Sequence, residues 1–214
     1  MRLYISSYGP GNKPEELVRL VGSNMRLAII MNAVDLSEEY RNKISLPKQI
    51  AHLTALGFIV EEVDLRKYFG KKTDELKKVL SEFGVVWVRG GNAFVLQRAV
   101  EQSGFNKVIT EMLKEDKLVY ACYSAGGVVA TPTLHGIEIV DNPSEIPAGY
   151  LKEFSWEGMG LIKYSFAPHY QSDHPESQKI EKVIQYYIDH NMPYKALRDG
   201  EVFIVENGQE RLVS

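Results

Sequence analysis

The chain has 214 residues, of which 44% are hydrophobic and 25% charged, and it carries a formal net charge of −3 at pH 7. This length predicts one domain over residues 1–214, with enough apolar side chains for a well-filled core. The weakly acidic charge and the absence of an extended basic tract give no reason to expect nucleic-acid binding. No apolar run approaches the length needed to span a membrane.

The cysteine content and the N-terminal segment indicate the compartment. Cys122 is the single cysteine, which excludes an internal disulfide framework and suits a reducing environment. The polar run 6–14 follows the first predicted strand directly and does not fit a signal peptide. We therefore expect a cytoplasmic protein.

Strands and helices alternate through the first part of the chain. Strands are predicted at 2–6, 25–31, 58–63, 85–88 and 118–123. Helices are predicted at 14–21, 37–55 with a kink at Pro47, 73–83, 93–102 and 105–115. This alternation predicts an α/β fold with a mostly parallel central sheet and helices on both faces.

The last third of the chain has a less regular pattern. Strands are predicted at 137–140, 161–167, 196–197, 202–205 and 211–213, with a helix at 175–191 and a hairpin turn at Asn207-Gly208. No internal repeat, linker or low-complexity segment interrupts the chain, so no further domain is predicted.

Ser124 lies where the buried run 118–123 turns into a helix. A serine on a sharp strand-to-helix turn is the nucleophile-elbow arrangement, which exposes its hydroxyl above the end of the sheet. Cys122 and Gly126 are small enough for the strained turn. The amides of the new helix then point to where an oxyanion would develop. The alternative is a serine that only caps the helix.

A second pair of candidate residues follows the fourth predicted strand. Sites in open parallel sheets lie beyond the carboxyl ends of the strands. Gly90 and Gly91 are at such an end, where paired glycines let backbone amides approach a substrate. They are either the second half of an oxyanion hole or a tight turn in which Asn92 caps the next helix.

A catalytic serine needs a base, and His169 is the preferred histidine because Pro168 fixes the chain just before it. His174 lies in the same loop and is the second choice. The other three histidines are explained by surface or helix-end positions; they are His52, His135 and His190.

A third group is needed to orient the imidazole. Asp199, in a short connection between two predicted strands, is the first choice, and Asp141 is the second. Both residues also fit ordinary turns. Cys122 is a rival nucleophile, but a cysteine at this position is expected to be buried and inert. No metal-ligand spacing or nucleotide-binding glycine pattern is present, so no metal or cofactor is expected.

Several ordered motifs resemble the peptidase E family of serine peptidases, which has a class I glutamine amidotransferase-like fold. The motifs are residues 90–94, 123–127, 139–141, 168–170 and 197–200. The resemblance implies that Ser124 is the nucleophile, His169 the general base and Asp199 the acidic third member. It also implies an oxyanion hole formed by the amides of Gly91 and Ala125.

The resemblance further implies a serine peptidase that hydrolyses short peptides, with aspartyl dipeptides as candidate substrates and a homodimer as a candidate assembly. Characterised relatives include dipeptidases that cleave after an N-terminal aspartate and cyanophycinases. Two other functions stay open. The chain could be a non-catalytic binding or regulatory protein of the same fold, or an amidotransferase-like or stress-response protein that uses Cys122.

The chain departs from the family pattern at three places. Arg89 replaces a frequent glycine, and Gly127 replaces the usual alanine. Segment 171–182 lacks the arginine with which aspartate-selective members hold the substrate carboxylate, and its cations are Lys179 and Lys182. A lysine does not reproduce the bidentate geometry of an arginine. The cation that would replace it is therefore open among Lys179, Lys182 and Arg89.

Overall fold

The computed structural model describes all 214 residues and contains a seven-stranded central sheet. The strands of the chain are β1 (Arg2–Ser6), β2 (Arg26–Ile30), β3 (Ile59–Glu62), β4 (Val85–Val88), β5 (Val119–Tyr123), β6 (Ser165–Ala167), β7 (Tyr194–Ala196), β8 (Val202–Glu206) and β9 (Gln209–Val213). The α-helices are α1 (Pro14–Val21), α2 (Leu46–Ala55), α3 (Thr73–Leu80), α4 (Ala93–Ser103), α5 (Phe105–Lys114), α6 (Ala125–Val128) and α7 (Ser177–Asp189).

The strand order of the central sheet is β3-β2-β4-β5-β1-β8-β9. The first five strands in this order run parallel, whereas β8 and β9 are antiparallel to their neighbours. Strands β6 and β7 form a separate two-stranded parallel sheet. The predicted α/β fold with a mostly parallel sheet is confirmed.

Helices cover the sheet on both faces because its central strands are apolar on both sides. Every residue of β4 and β5 is buried, as expected for parallel strands between two helical layers. Val85 and Trp87 of β4 belong to a core of 16 residues shared with α1 and α2. Val86 and Val88 point the other way, into a core of 43 residues shared with α3, α4, α5 and α7.

Two strand predictions in the last third are wrong. Residues 137–140 form a 3₁₀ turn at Ile137–Ile139 that follows Gly136, whose φ is 97°; a short apolar run does not separate a strand from a helical turn. The strand predicted at 161–167 contains only β6. Its first residues, Leu161 and Ile162, donate their amides to the carbonyl of Ala130 instead of joining a ladder.

Two predicted helices differ in detail. The helix predicted at 37–55 begins as a π-helical segment, Tyr40–Ser45, and continues as α2, one residue before Pro47. The helix predicted at 73–83 ends at Leu80. None of the helices combines the length and the apolar character needed to cross a bilayer.

Strands β4, β5 and β1 are neighbours, so the loops at their carboxyl ends meet at one edge of the sheet. Gly90 and Gly91 follow β4, Ser124 follows β5, and Ser7 follows β1. Candidate functional groups from distant parts of the chain are therefore brought together beyond the sheet, as expected for this architecture.

Candidate active site

Ser124 occupies a strained turn between β5 and α6. Its φ is 49° and its ψ −117°, a conformation that a residue with a side chain rarely adopts and that costs about 1–3 kcal/mol. The backbone carbonyl of Ser124 accepts hydrogen bonds from Gly127 and Val128. Its side chain caps no amide of α6. The helix-cap alternative is therefore wrong, and the hydroxyl is left free.

Small neighbours make the turn possible, as the sequence predicts. A Cβ atom on Gly126 would lie 2.7 Å from Cβ of Cys122 and 2.7 Å from the carbonyl oxygen of Val88. A Cβ atom on Gly90 would lie 2.8 Å from Cβ of Ser124. Distances below 3.0 Å are steric overlaps, so both positions require glycine.

Two backbone amides beside Ser124 have no acceptor within the protein. They belong to Gly91, whose φ of 144° strongly favours glycine, and to Ala125, the first residue of α6. Both residues line a small cavity together with Ser124. Asn92 caps α4 by accepting from the amides of Phe94 and Val95. The predicted cap is thus present beside the free amide of Gly91.

His169 is buried and hydrogen-bonded to Asp199, the first choice of the sequence analysis. Its Nδ1 lies 2.7 Å from Oδ1 of Asp199. Because the carboxylate accepts the Nδ1 proton, Nε2 carries the lone pair that a general base needs. Asp141 does not pair with His169: its Oδ2 accepts the amide of Ala93 at the start of α4, and the residue lines the small cavity beside Ser124.

Ser124 and His169 line the same cavity but are not hydrogen-bonded to each other. Catalytic hydrogen bonds are often long in substrate-free enzymes and shorten when the substrate binds. Proton transfer from the hydroxyl to the imidazole therefore requires that the two side chains approach each other or that a water molecule connects them.

Ser7 is a site residue that the sequence analysis missed. Its hydroxyl donates to Oδ1 of Asp199 at 2.7 Å and accepts the backbone amide of His169 at 2.7 Å. The side chain of Ser172 accepts the amide of Asp199 at 2.8 Å. The sequence feature that could have indicated Ser7 is its position just beyond the carboxyl end of β1.

These contacts set the charge of Asp199. Burial would raise the pKa of its carboxyl, but the hydrogen bonds from His169 and Ser7 outweigh burial and hold the pKa below its ordinary value. Asp199 is therefore ionised at neutral pH and can stabilise a positive charge on the imidazole.

His174 stacks on His169, with ring centroids 3.6 Å apart and planes at 7°. The amide of Glu176 donates to Nδ1 of His174, and a carboxylate oxygen of Glu176 lies 4.0 Å from Nε2 of His169. A histidine binds a metal in the plane of its ring. Stacked parallel rings cannot both point at one ion, so this cluster does not fit a metal site without rearrangement.

The cavity that contains Ser124 and His169 has a volume of about 860 Å³. Arg89, Tyr40 and Lys48 line it as well. This volume lies in the range of small-molecule sites and can hold a short peptide. This cavity holds a nucleophile and a base with its orienting carboxylate, and the small cavity that Ser124 also lines holds the two free amides. These groups can together carry out acyl transfer.

The remaining candidates lie outside this arrangement or do not fit it. Cys122 is fully buried, and burial raises the pKa of its thiol well above the ordinary value, which makes it a poor nucleophile. His135 stacks on Trp156, and His190 stacks on Tyr186. His52 lines the cavity but forms no hydrogen bond with Ser124, His169 or Asp199.

Several proteins named as peptidases are similar to this chain in sequence. An uncharacterised peptidase of Listeria monocytogenes, Lmo0363, is 28% identical over 153 residues, which cover 71% of this chain and 70% of that protein. A protein of Drosophila melanogaster named "Probable alpha-aspartyl dipeptidase" is 29% identical over 58% of this chain and 50% of its own length. Peptidase E of Streptomyces coelicolor is 28% identical over 59% of this chain and 51% of its own length.

Two solved structures are similar to this chain in fold. A crystal structure assigned to a peptidase E protein of Listeria monocytogenes superposes with a TM-score of 0.77 at 21% identity, over 99% of this chain and 97% of that one. A peptidase from an acI-B1 actinobacterium has a TM-score of 0.70 at 14% identity, over 99% and 86% of the two chains. The model of peptidase family S51 matches residues 17–213. The resemblance to peptidase E is confirmed, and the chain belongs to peptidase family S51.

Proposed function

We propose that this protein is a serine peptidase that hydrolyses short peptides through Ser124, His169 and Asp199. One observation carries the proposal: a strained serine with a free hydroxyl lines the same cavity as a buried histidine whose Nδ1 is paired with an ionised aspartate. Membership of a peptidase family supports the same conclusion.

In the proposed mechanism, Nε2 of His169 accepts the hydroxyl proton while Oγ of Ser124 attacks the carbonyl carbon of the scissile peptide bond. The amides of Gly91 and Ala125 donate to the resulting oxyanion. The imidazolium, stabilised by Asp199, gives its proton to the departing amine. Water, activated by the same imidazole, then attacks the acyl-enzyme and regenerates the free hydroxyl.

Aspartyl dipeptides are the first substrates to test. A relative from Drosophila melanogaster carries the name of an alpha-aspartyl dipeptidase, and the cavity volume of about 860 Å³ suits a peptide of a few residues. Cleavage of the bond that follows an N-terminal aspartate would release free aspartate, which can be quantified directly in a dipeptide library.

The nucleophile is tested by comparing wild type, Ser124→Ala and a control, Ser144→Ala, at an exposed serine. We expect a fluorophosphonate reagent to label wild type and Ser144→Ala but not Ser124→Ala. Turnover of the dipeptide library should fall at least a hundredfold in Ser124→Ala alone. Unchanged turnover in Ser124→Ala would refute the assignment. A wild type that is never labelled but still binds peptides would favour a non-catalytic binding protein.

A further inference from the structure

Arg89 is a cavity-lining arginine whose hydrogen-bonding capacity is largely unused. One terminal nitrogen donates to the carbonyl of Gly90, and the other donates to the hydroxyl of Tyr40 at 3.1 Å. Arg89 forms no ion pair with any carboxylate, and its Nε is buried without a partner. Because a guanidinium has five donor hydrogens, three of them lack an acceptor.

The other candidate cations are not placed to serve the cavity. Lys179 donates to the backbone carbonyl of Val140 at 3.3 Å. Neither Lys179 nor Lys182 lines the cavity, whereas Arg89 does. Of the three cations that the sequence left open, Arg89 is therefore the one in position to contact a ligand near Ser124.

The cavity is also divided by charge, and the strand order explains this division. Strand β5, which ends at Ser124, lies between β4 and β1 in the sheet. The chain continues from β4 to Arg89 on one side of Ser124 and from β1 to Ser7 on the other side. The two carboxylates that line the cavity belong to Asp199 and Glu176, and both lie beside His169. The side that carries Arg89 has no carboxylate, and its second cation is the exposed Lys48.

Tyr40 holds the guanidinium at this place. Besides the hydrogen bond, its ring lies beneath Arg89, with the guanidinium carbon 5.7 Å from the ring centroid. A planar guanidinium that is held on two sides loses little entropy when it binds a planar carboxylate. Each terminal nitrogen keeps one hydrogen without an acceptor, and together they can donate to the two oxygens of one carboxylate.

We propose that Arg89 is the specificity residue of this cavity and binds a carboxylate of the peptide substrate. The inference rests on the proposed function for the identity of the ligand as a peptide. A dipeptide offers this carboxylate either at its C-terminus or on an acidic N-terminal side chain. Both sources present the same chemistry to the guanidinium.

The test measures binding in the Ser124→Ala chain, in which no turnover interferes. Asp-Leu, Asn-Leu and Asp-Leu amide are titrated by calorimetry into this chain and into the same chain carrying Arg89→Gln. With Arg89 present, removing the recognised carboxylate should weaken binding about tenfold to a hundredfold, as loss of a charged hydrogen-bonded pair does. Weaker binding of Asn-Leu identifies the side chain, and weaker binding of the amide identifies the C-terminus.

In the Arg89→Gln chain this discrimination should disappear. Lys182→Gln removes a positive charge that lies outside the cavity. This variant should discriminate among the three peptides as the Ser124→Ala chain with Arg89 does. If Arg89→Gln unfolds, Arg89→Lys supplies the comparison, because lysine keeps the positive charge but lacks the planar guanidinium. Arg89→Lys should discriminate among the peptides less than the Ser124→Ala chain with Arg89 does. Equal discrimination with and without Arg89 overturns the inference. If fluorophosphonate does not label wild type, the proposed catalytic function is refuted but the role of Arg89 in binding is not, because these titrations do not depend on turnover.

Discussion

Replacing Ser7 by alanine removes the hydroxyl that connects the end of β1 to both His169 and Asp199. Ser7 is fully buried. The amide of His169 then loses its acceptor, which costs about 1–3 kcal/mol, and Asp199 loses one of its two side-chain donors, a charged hydrogen bond of about 1.5–3 kcal/mol. Because the side chain of Asp199 is 24% exposed, solvent compensates part of the second loss. We expect the free energy of unfolding to fall by about 2–4 kcal/mol.

The same substitution should change the pH dependence. The pKa of Asp199 is lowered in the folded state, so its contribution to stability is present above the unfolded value of 3.8 and is lost as pH falls through the folded pKa. Without Ser7, the folded pKa rises toward 3.8 and this contribution shrinks. The imidazole is also held less firmly, so kcat should fall about tenfold to a hundredfold with little change in KM.

Urea unfolding between pH 3 and pH 7 and steady-state kinetics measure both effects. Ser6→Ala is the matched control, because Ser6 is equally buried but its hydroxyl donates only to the carbonyl of Tyr8, at 3.3 Å. If Ser7→Ala and Ser6→Ala lose the same stability and the same activity, Ser7 does not position His169 and Asp199.

Three further perturbations test other parts of the site. His174→Phe keeps a ring stacked on His169 and should keep kcat within a few-fold, whereas His174→Ala should lower kcat about tenfold; equal rates would exclude a role for the stack. Burial raises the pKa of Asp141 to about 7, so the folded state of wild type loses stability as pH rises from 4 to 7. In urea unfolding, Asp141→Asn should therefore be about 1–3 kcal/mol more stable than wild type at pH 8 and equally stable at pH 4. A Cβ atom on Gly127 would lie 2.6 Å from the ring of the buried Phe166, so Gly127→Ala should lower the free energy of unfolding by about 1–3 kcal/mol, and a higher melting temperature would contradict this packing argument.

Gly127 also explains a departure from the family pattern. The usual alanine would overlap the ring of Phe166 and approach Ile5 to 3.0 Å. The glycine is therefore coupled to the packing of β6 against α6, a contact between segments about forty residues apart. Sequence alone shows the substitution and not its cause.

Local patterns were sufficient for most elements of the central sheet. The apolar runs of β4 and β5 are recognisable because each is short and uncharged and ends within two residues of a glycine or serine. The strand-to-helix turn at Ser124 was equally visible, because only small residues fit around it. The strand predictions that failed lie in the last third, where a short apolar run such as residues 137–140 does not distinguish a strand from a helical turn.

The sequence by itself determined the α/β fold and the elbow turn at Ser124, and it limited the partners of this serine to two candidate histidines and two candidate aspartates, because these follow from periodicity and from motifs a few residues long. Only the tertiary structure decided that Asp199 and not Asp141 pairs with His169, that Ser7 joins both groups, and that Arg89 and not Lys179 or Lys182 lines the cavity. Such choices depend on strand order and on side-chain distances of a few ångströms between residues as many as 192 positions apart. No local pattern carries that information.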